Sequence, residues 1–256
     1  ELNAIYDLWV RNAVAIFPNQ KLSHAEYNDF AMQFGSFGDE SFLTPMKSQI
    51  HIVELRRKAT EEAMHFGGSW HSDWSFQPSP PAATMLHSKI IPPFGGDTLF
   101  SNSALAYDEM SSEMKDKIQN LKGIHSAKLP YADNGFYALE NKKRTMKIKS
   151  SKSANKQHLH PIVREHLDTK RKSLFINPVY TIGIEGMDDM EAFEFLSELF
   201  EHMTQDKYIY RHKWKEDMLI MWDNRSVMHM AEGGYDGYER LMHRITIAGE
   251  TPIESI

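Results

Sequence analysis

Hydrophobic and polar residues alternate along this chain with two different periods. Apolar spacings of three and four residues predict helices, whereas period-two alternation and short apolar runs between turn residues predict strands. The pattern predicts helices over residues 1–11, 23–34, 103–109, 111–121 and 188–204. It predicts strands over residues 13–17, 50–55, 83–90, 98–101, 173–177, 207–213, 218–222 and 243–248. Many short strands and few helices favour a mainly β jelly roll with helical additions.

Local signals set the ends of several elements. Ser23 followed by Glu26 is a capping box that begins the second helix, and Gly35 ends it. The prolines between residues 78 and 81 separate the strand at 83–90 from the preceding segment. No repeat or linker interrupts the pattern, so we predict a single domain over residues 1–256.

A basic segment spans residues 141–157 and contains no acidic residue. Its cations are Lys142, Lys143, Arg144, Lys147, Lys149, Lys152 and Lys156. Serine and asparagine fill the gaps, which is typical of a solvated, flexible loop. The alternative is a mobile cover whose field draws anions toward a site. The sequence leaves both interpretations open.

Composition narrows the function classes. The 256 residues are 41% hydrophobic and 25% charged, as in an ordinary globular protein. The net charge of −6 disfavours nucleic-acid binding, and no apolar run approaches the roughly 18 residues of a membrane span. With no cysteine, a bound metal would depend on histidine and carboxylate, which favours iron or manganese. We therefore predict a cytoplasmic protein without a membrane partner.

The most informative candidates are His71 and Asp73, two positions apart. In a strand such residues point to one face, so both side chains can reach one metal ion. Alone the pair is weak, since a polar pair at a strand end has the same sequence. A second histidine, His229, follows an apolar strand and the polar turn at 223–225. Two histidines and one carboxylate form the facial triad of non-heme Fe(II) oxygenases.

Two arginines follow that histidine. Arg240 and Arg244 precede or open the predicted strand at 243–248, and a buried guanidinium requires an anion. A dicarboxylate that chelates the metal and also meets an arginine would satisfy both, and 2-oxoglutarate is such a molecule. Thr98, after a Gly-Gly-Asp turn, offers a hydroxyl donor for the same carboxylate.

Six segments together resemble one known family, the taurine dioxygenase / phenoxyacetate dioxygenase (TauD/TfdA) family of Fe(II)- and 2-oxoglutarate-dependent oxygenases. They occur in the family's order, and the resemblance extends along the chain from about residue 2 to residue 252. The segments are Trp70-His-Ser-Asp-Trp-Ser-Phe, Pro93-Phe-Gly-Gly-Asp-Thr-Leu-Phe, His160-Pro-Ile-Val-Arg, Leu174-Phe-Ile-Asn, Trp222-Asp-Asn-Arg-Ser-Val-Met-His and Arg240-Leu-Met-His-Arg-Ile-Thr-Ile-Ala-Gly.

The resemblance implies a clavaminate synthase-like double-stranded β-helix with His71, Asp73 and His229 as iron ligands. It implies that Arg240 and Thr98 bind the distal carboxylate of 2-oxoglutarate. The implied reaction consumes 2-oxoglutarate and O2, releases succinate and CO2, and hydroxylates a small anionic molecule such as a sulfonate, sulfate ester, carboxylate or phosphonate.

The resemblance implies that Arg244 binds either the anionic group of the prime substrate or the near carboxylate of 2-oxoglutarate. It also implies a homo-oligomer, a dimer or tetramer. The intact Asp73 argues against a halogenase, since such enzymes usually lose this carboxylate.

Two departures from the family disfavour taurine itself. Glu40 and Leu43 stand at about the positions where the taurine enzymes use a histidine and a tyrosine, and Gly67 or Gly68 replaces an expected asparagine. The loops at 36–68 and 130–158 are expected to determine specificity. The predicted first helix starts at Glu1, where family members usually carry an earlier segment, so we expect a missing native N-terminus.

The remaining candidates have structural interpretations. We expect the other conspicuous histidines to be structural rather than metal ligands: His87, His125, His158, His160, His166 and His243. Trp70 and Trp74 are expected to wall the site, with core packing as the alternative, and Asn102 to hydrogen-bond in the pocket.

Two other functions use the same residues. A non-catalytic protein could bind a small anion on this scaffold. A zinc hydrolase could use the same three ligands, although the sequence places no evident glutamate as its general base.

Overall fold

The computed structural model describes residues 1–140 and 143–254. Asn141 and Lys142 of the basic segment, and residues 255–256 of the predicted domain, lie outside this part of the chain. The helices within it are α1 Leu2–Asn12, α2 His24–Met32, α3 Ser103–Asp108, α4 Ser112–Ile118, α5 Lys128–Tyr131, α6 Phe136–Leu139 and α7 Asp189–Met203. The strands are β1 Val14–Phe17, β2 Val53–Arg57, β3 Ala83–Ile90, β4 Thr98–Asn102, β5 Lys122–Ser126, β6 Gln157–Pro161, β7 Val163–Glu165, β8 Lys172–Leu174, β9 Thr181–Ile184, β10 Ile209–His212, β11 Leu219–Asp223, β12 Val227–Ala231, β13 Arg240–Ile247 and β14 Ile253–Glu254.

Two antiparallel sheets form the central part of the fold. The larger has the order β1-β11-β3-β13-β2, and the smaller has the order β10-β4-β12. One buried cluster joins them, with Leu86, Trp222 and Met242 from the larger sheet and Phe100 and Val227 from the smaller. The two sheets therefore enclose a common core, as in the predicted double-stranded β-helix.

Strand alternation decides which side chains reach this interior. In β13, Ile245 and Ile247 pack outward with Met85 of β3 against the buried residues of α1 and α2. Met242 faces the opposite way, into the core between the sheets. Because alternate residues share a face, Arg244 lies on the same side of β13 as Met242.

The helical additions cover the rest of the sheets. Helix α7 presents Phe195, Leu196 and Leu199 to a core that also contains residues of α3, α4 and β7–β9. The helix predicted at 188–204 is confirmed as α7, with Asp188 as the N-cap. Its apolar spacing also predicts Met190 and Phe193 as core residues, which is wrong, because both side chains lie on the exposed face. The predicted capping box of Ser23 and Glu26 is present at the start of α2.

The long apolar runs were predicted correctly, whereas several short strands were not. The strand at 83–90 has the predicted bounds, but the one at 173–177 is only the three-residue β8, and that at 50–55 begins later, as β2. Strands β5, β6, β7, β9, β12 and β14 were missed. These strands are too short to show a clear periodic pattern. Pairing with neighbouring strands stabilises them, and that pairing cannot be read from the segment's own sequence.

No helix in the described ranges is both long and apolar enough to cross a bilayer.

Candidate metal centre

The backbones of His71 and His229 hydrogen-bond to each other. The amide of His71 donates to the carbonyl of His229 (3.0 Å), and the amide of His229 donates to that of His71 (2.8 Å). This pair adds His71 to the edge of the smaller sheet, next to β12. On the other side of β12, Phe100 of β4 is paired with His229. The two imidazole centroids lie 4.2 Å apart, so a backbone contact fixes the spacing of the histidines.

Asp73 reaches the same point from a turn. The expected strand geometry is wrong, because only His71 forms a bridge and the chain turns directly after it. Trp74 has a φ of 46°, in the left-handed region that non-glycine residues rarely adopt. The turn replaces strand alternation as the means of bringing the carboxylate to the histidines.

A hydrogen-bond network orients that carboxylate. Thr84 of β3 donates its hydroxyl to Asp73 Oδ2 (2.6 Å) and accepts from Asn224 Nδ2 (2.9 Å). Asn224 Oδ1 in turn accepts from the amide of Asp73 (3.3 Å) and from Trp222 Nε1 (3.0 Å). Neither Thr84 nor Asn224 has a sequence signal for this role, since one is an ordinary strand residue and the other part of a polar turn.

The three side chains converge on one point. His71 Nε2 lies 3.6 Å from Asp73 Oδ1, and His229 Nε2 lies 3.7 Å from Asp73 Oδ2. One ligand atom from each residue lies within 4.8 Å of the others, and this is the only such cluster found among the described residues. All three residues are buried.

The protonation of the cluster fits a divalent cation. Burial lowers the pKa of His229 to about 3, and the neighbouring His71 adds to this effect. Burial raises the pKa of Asp73, but the neighbouring Arg244 and His229 outweigh this effect and hold the pKa below its usual range. The Nδ1 of His71 donates to the carbonyl of Ser69 (2.7 Å), which leaves Nε2 with its lone pair. Neutral imidazoles beside an ionised carboxylate are the donor set that Fe(II) or Mn(II) requires.

Replacing Thr84 with valine is expected to lower the affinity for Mn(II) by about 10- to 100-fold, the usual cost of losing an outer hydrogen bond at a metal site. Valine keeps the shape but leaves Asp73 Oδ2 and Asn224 Nδ2 without this partner. Titration calorimetry with Mn(II) measures the loss. Thr84→Ser retains the hydroxyl and should bind Mn(II) within about threefold of the wild type. Equal affinities for the valine and serine variants would contradict this role.

A first cavity, the Arg240 cavity, leads from the three ligands to a buried arginine. Its lining includes His71, Asp73, His229, Thr98 and Arg240. Arg240 Nε has no hydrogen-bond partner, and within the described ranges Arg240 forms no ion pair. Burial lowers the pKa of Arg240, and the neighbouring Tyr235 offsets only part of this effect. A buried cation without a counter-ion is expensive, so this cavity strongly favours an anion.

Thr98 is oriented by Trp214, a residue with no sequence signal for this role. Trp214 Nε1 donates to Thr98 Oγ1 (2.9 Å). Because this oxygen already accepts a hydrogen bond, its proton is directed elsewhere and is available to a ligand carboxylate in the Arg240 cavity.

A second cavity, the aromatic cavity, opens on the other side of the ligands. Arg244, His71 and Asp73 line both cavities. Its walls are largely apolar: Met64, Phe66, Trp74, Leu129, Pro130, Tyr131, Phe136, Tyr137, Pro178, Val179 and Tyr180. It combines one cation beside the candidate metal position with an aromatic enclosure, as suits an organic anion with an apolar body.

Glu40 and Leu43, at about the positions where the taurine enzymes contact their substrate, line neither cavity. Glu40 lies behind Arg244, with Oε1 3.4 Å from Arg244 Nε, and lines neither cavity. Leu43 is buried in the core and forms a bridge with Ile148. Gly67 and Gly68 do line the aromatic cavity, with Gly67 at a φ of 77°.

The basic segment divides into two kinds of residue. The described lysines from Lys143 onward are exposed, as a solvated loop predicts. The side chain of Arg144 is only 8% exposed and lines the Arg240 cavity, so for this residue the prediction of a solvated loop is wrong. Its guanidinium donates twice to Glu140 (2.7 and 2.9 Å) and lies 3.9 Å from Glu61 Oε1. The carboxylate of Glu61 also accepts from the amide of Thr145 (2.8 Å), which attaches the segment to the cavity wall.

The remaining candidates have structural contacts. His87 contacts the carbonyl of Gln20 (2.7 Å), His160 that of Gln77 (2.9 Å) and His166 the carboxylate of Asp223 (2.9 Å). His125 contacts Ser75, whereas His243 packs beside His24. Trp74 lines the aromatic cavity as predicted, whereas Trp70 packs against the α7 core. The prediction for Asn102 is wrong, because its side chain caps α3 through the amide of Leu105.

Sequence comparison gives a consistent result. Residues 1–246 match the family described as taurine catabolism dioxygenase TauD, TfdA family. The alpha-ketoglutarate-dependent 2,4-dichlorophenoxyacetate dioxygenase of a Burkholderia species is 32% identical over 93% of this chain and 82% of its own length. An alkylsulfatase of Acinetobacter baylyi is 30% identical over 96% of this chain and 76% of its own length.

Solved structures match over nearly the whole chain. A taurine dioxygenase from Burkholderia xenovorans superimposes with a TM-score of 0.80 at 25% identity, covering 99% of this chain and 83% of that one. The structure of AAD-2 in complex with Mn(II) and N-oxalylglycine superimposes with a TM-score of 0.82 at 26% identity, covering 98% and 89%. The predicted jelly roll is therefore confirmed.

Proposed function

The chain belongs to the TauD/TfdA family of Fe(II)- and 2-oxoglutarate-dependent dioxygenases, and we propose that His71, Asp73 and His229 hold its Fe(II). Two imidazoles and one carboxylate leave the coordination positions that 2-oxoglutarate and O2 need. The bound iron supplies the oxidising chemistry, in which 2-oxoglutarate and O2 yield succinate and CO2 while a C–H bond of the substrate is hydroxylated. The protein orients the reactants and excludes water.

The observation that carries this proposal is the buried Arg240 without a counter-ion in the cavity of the three candidate ligands. A dicarboxylate that reaches the metal at one end would pair its distal carboxylate with Arg240 at the other. Thr98, oriented by Trp214, would donate a further hydrogen bond to that carboxylate. Charge-assisted hydrogen bonds of this kind are strong and directional when buried.

The prime substrate is proposed to bind in the aromatic cavity as a small organic anion with an apolar body. Arg244 faces this cavity beside the candidate metal ligands, and aromatic side chains form much of its wall. Relatives are named for a phenoxyacetate, alkyl sulfates and sulfonates. A sulfonate, sulfate ester, carboxylate or phosphonate therefore remains within the proposed class. Taurine is disfavoured, because Glu40 and Leu43 are turned away from the cavity.

Succinate release tests the proposed activity. The purified chain with Fe(II), ascorbate and 2-oxoglutarate is offered 2,4-dichlorophenoxyacetate, hexyl sulfate, hexanesulfonate and hexylphosphonate, and succinate is quantified by chromatography. We expect slow release without a substrate and at least about tenfold faster release with one of these anions, because substrate binding completes the site. His71→Ala should remove both rates. No 2-oxoglutarate turnover by the iron-loaded wild type under any condition would contradict the proposal.

A further inference from the structure

Glu40 contacts Arg244 at Nε and lines neither cavity. Its Oε1 lies 3.4 Å from Arg244 Nε and accepts from Thr246 Oγ1 (3.2 Å), while its Oε2 accepts from Trp74 Nε1 (2.9 Å). The side chain of Glu40 is only 7% exposed. A carboxylate is thus fixed behind the guanidinium whose front faces the aromatic cavity.

This carboxylate makes the two cavity arginines electrostatically different. Arg244 has two carboxylates beside it, since Asp73 Oδ1 lies 3.3 Å from its Nη2 and Glu40 is behind it. Burial lowers the pKa of Arg244, but Asp73 and Glu40 raise it above its usual value. Arg240 has no such partner in the described part of the chain. Arg244 Nε and Nη2 form no hydrogen bond with the described residues, so its two carboxylates act on it by charge alone. The uncompensated charge is therefore greater at Arg240 than at Arg244, although both arginines keep N–H groups free for a ligand.

A bound metal would change the counter-charge of Arg244. A divalent cation held by Asp73 would draw on the charge of that carboxylate, so Glu40 would become the main counter-ion of Arg244. Trp74 and Thr246 hold Glu40 in place from two other directions. An anion that enters the aromatic cavity therefore meets a guanidinium whose charge is already largely compensated.

On the basis of the proposed function, we propose that Glu40 is a specificity-determining residue that weakens the binding of anions at Arg244. Anions that depend on Arg244 alone then bind poorly, whereas those with an apolar body gain contact with Trp74, Tyr131 and Tyr180. The residue at the family's taurine-contacting position thus acts here through Arg244, not by touching the substrate. It lowers the affinity for every anion by a similar factor, so that only anions with an apolar body bind well.

Glu40→Gln tests this role with little change of shape. Both oxygens of Glu40 face donors, so glutamine must turn its amide NH2 toward one of them and removes the charge beside Arg244. Calorimetry with the Mn(II)-loaded protein and N-oxalylglycine measures binding without turnover. We expect 2,4-dichlorophenoxyacetate and methanesulfonate to bind about tenfold more tightly to Glu40→Gln, because a unit charge a few ångströms away acts strongly at a buried site. The neutral 2,4-dichlorophenoxyacetamide should bind within about twofold of the wild type.

Two further variants control for a structural effect. Glu40→Asp keeps the charge but withdraws it from Arg244, and should tighten anion binding by only about threefold. Glu250→Gln removes a carboxylate from another arginine, Arg164 (2.8 Å), outside both cavities, and should leave the dissociation constants unchanged.

Anion affinity that is unchanged or weaker in both Glu40 variants overturns the proposal, as does the absence of anion binding by every variant. Equal tightening of the neutral amide also overturns it, because charge would then not be the cause. Failure of this inference is distinguishable from failure of the proposed function. An unchanged affinity in a protein that releases succinate contradicts only the role of Glu40, whereas the absence of 2-oxoglutarate turnover contradicts the activity.

Discussion

Asp73→Ala is expected to lower the affinity for Fe(II) or Mn(II), and the rate of succinate release, by at least about 1000-fold, beyond the roughly 10- to 100-fold typical of outer-shell changes. The substitution removes the single anionic ligand of the cluster and leaves His71 and His229 to bind a dication alone. It also removes a carboxylate that lies 3.3 Å from Arg244 and so increases the repulsion of a cation. Calorimetric Mn(II) binding and the succinate assay measure the two losses separately.

Asp116→Ala is a suitable control for Asp73→Ala, because Asp116 is an exposed carboxylate on α4. It should bind Mn(II) and release succinate like the wild type. Circular dichroism and the thermal midpoint establish that both variants are folded. A folded Asp73→Ala protein with wild-type affinity for Mn(II) would exclude this cluster as the metal site.

Arg240→Met is expected to raise the KM for 2-oxoglutarate by at least about 100-fold, since truncating one partner of a buried charge pair costs about 2–5 kcal/mol. Methionine fills a similar volume but offers no donor to a carboxylate. In the absence of ligands the variant should be as stable as the wild type or more stable, because it removes a buried cation without a counter-ion. Steady-state kinetics measure KM, and thermal denaturation without ligands measures the second effect.

The opposite signs of these two effects separate ligand binding from general damage to the fold. Arg211→Met is the control, since Arg211 pairs with Glu232 (2.8 Å) and lines neither cavity. It should leave the KM for 2-oxoglutarate unchanged. A KM for Arg240→Met within about threefold of the wild type would indicate that the distal carboxylate lies elsewhere.

The sequence predicted the elements whose pattern is long enough to be read locally. The strand at 83–90 and helix α7 have strong periodicity, and both lie where expected. The residues predicted to gather around a metal do converge, although the turn at Asp73 replaces the expected strand. The order and separation of the motifs were enough to identify these residues, although the backbone conformation at Asp73 was predicted wrongly.

Contacts between distant segments could not be predicted from the sequence. Glu40 looked like a substrate-facing residue, and Arg144 looked like one cation in a solvated run. The side chains of both are largely buried, Glu40 beside Arg244 of β13 and Arg144 beside Glu61, with Glu140 as a further, local partner of Arg144. The roles of the two arginines of β13 were likewise inseparable by sequence, since only the surrounding carboxylates distinguish them.

Because the backbones of His71 and His229 are paired, the conformational entropy of bringing these two ligands together is lost during folding. These residues are far apart in the chain, and their two amide–carbonyl hydrogen bonds form as the sheet forms. The loop between them is therefore closed by folding, before any ion binds. A structural zinc module, by contrast, spends much of its binding free energy on ordering the chain. In this protein a chelator should remove the ion and leave the scaffold intact, so that affinity reflects the ligands and their charges rather than a folding transition.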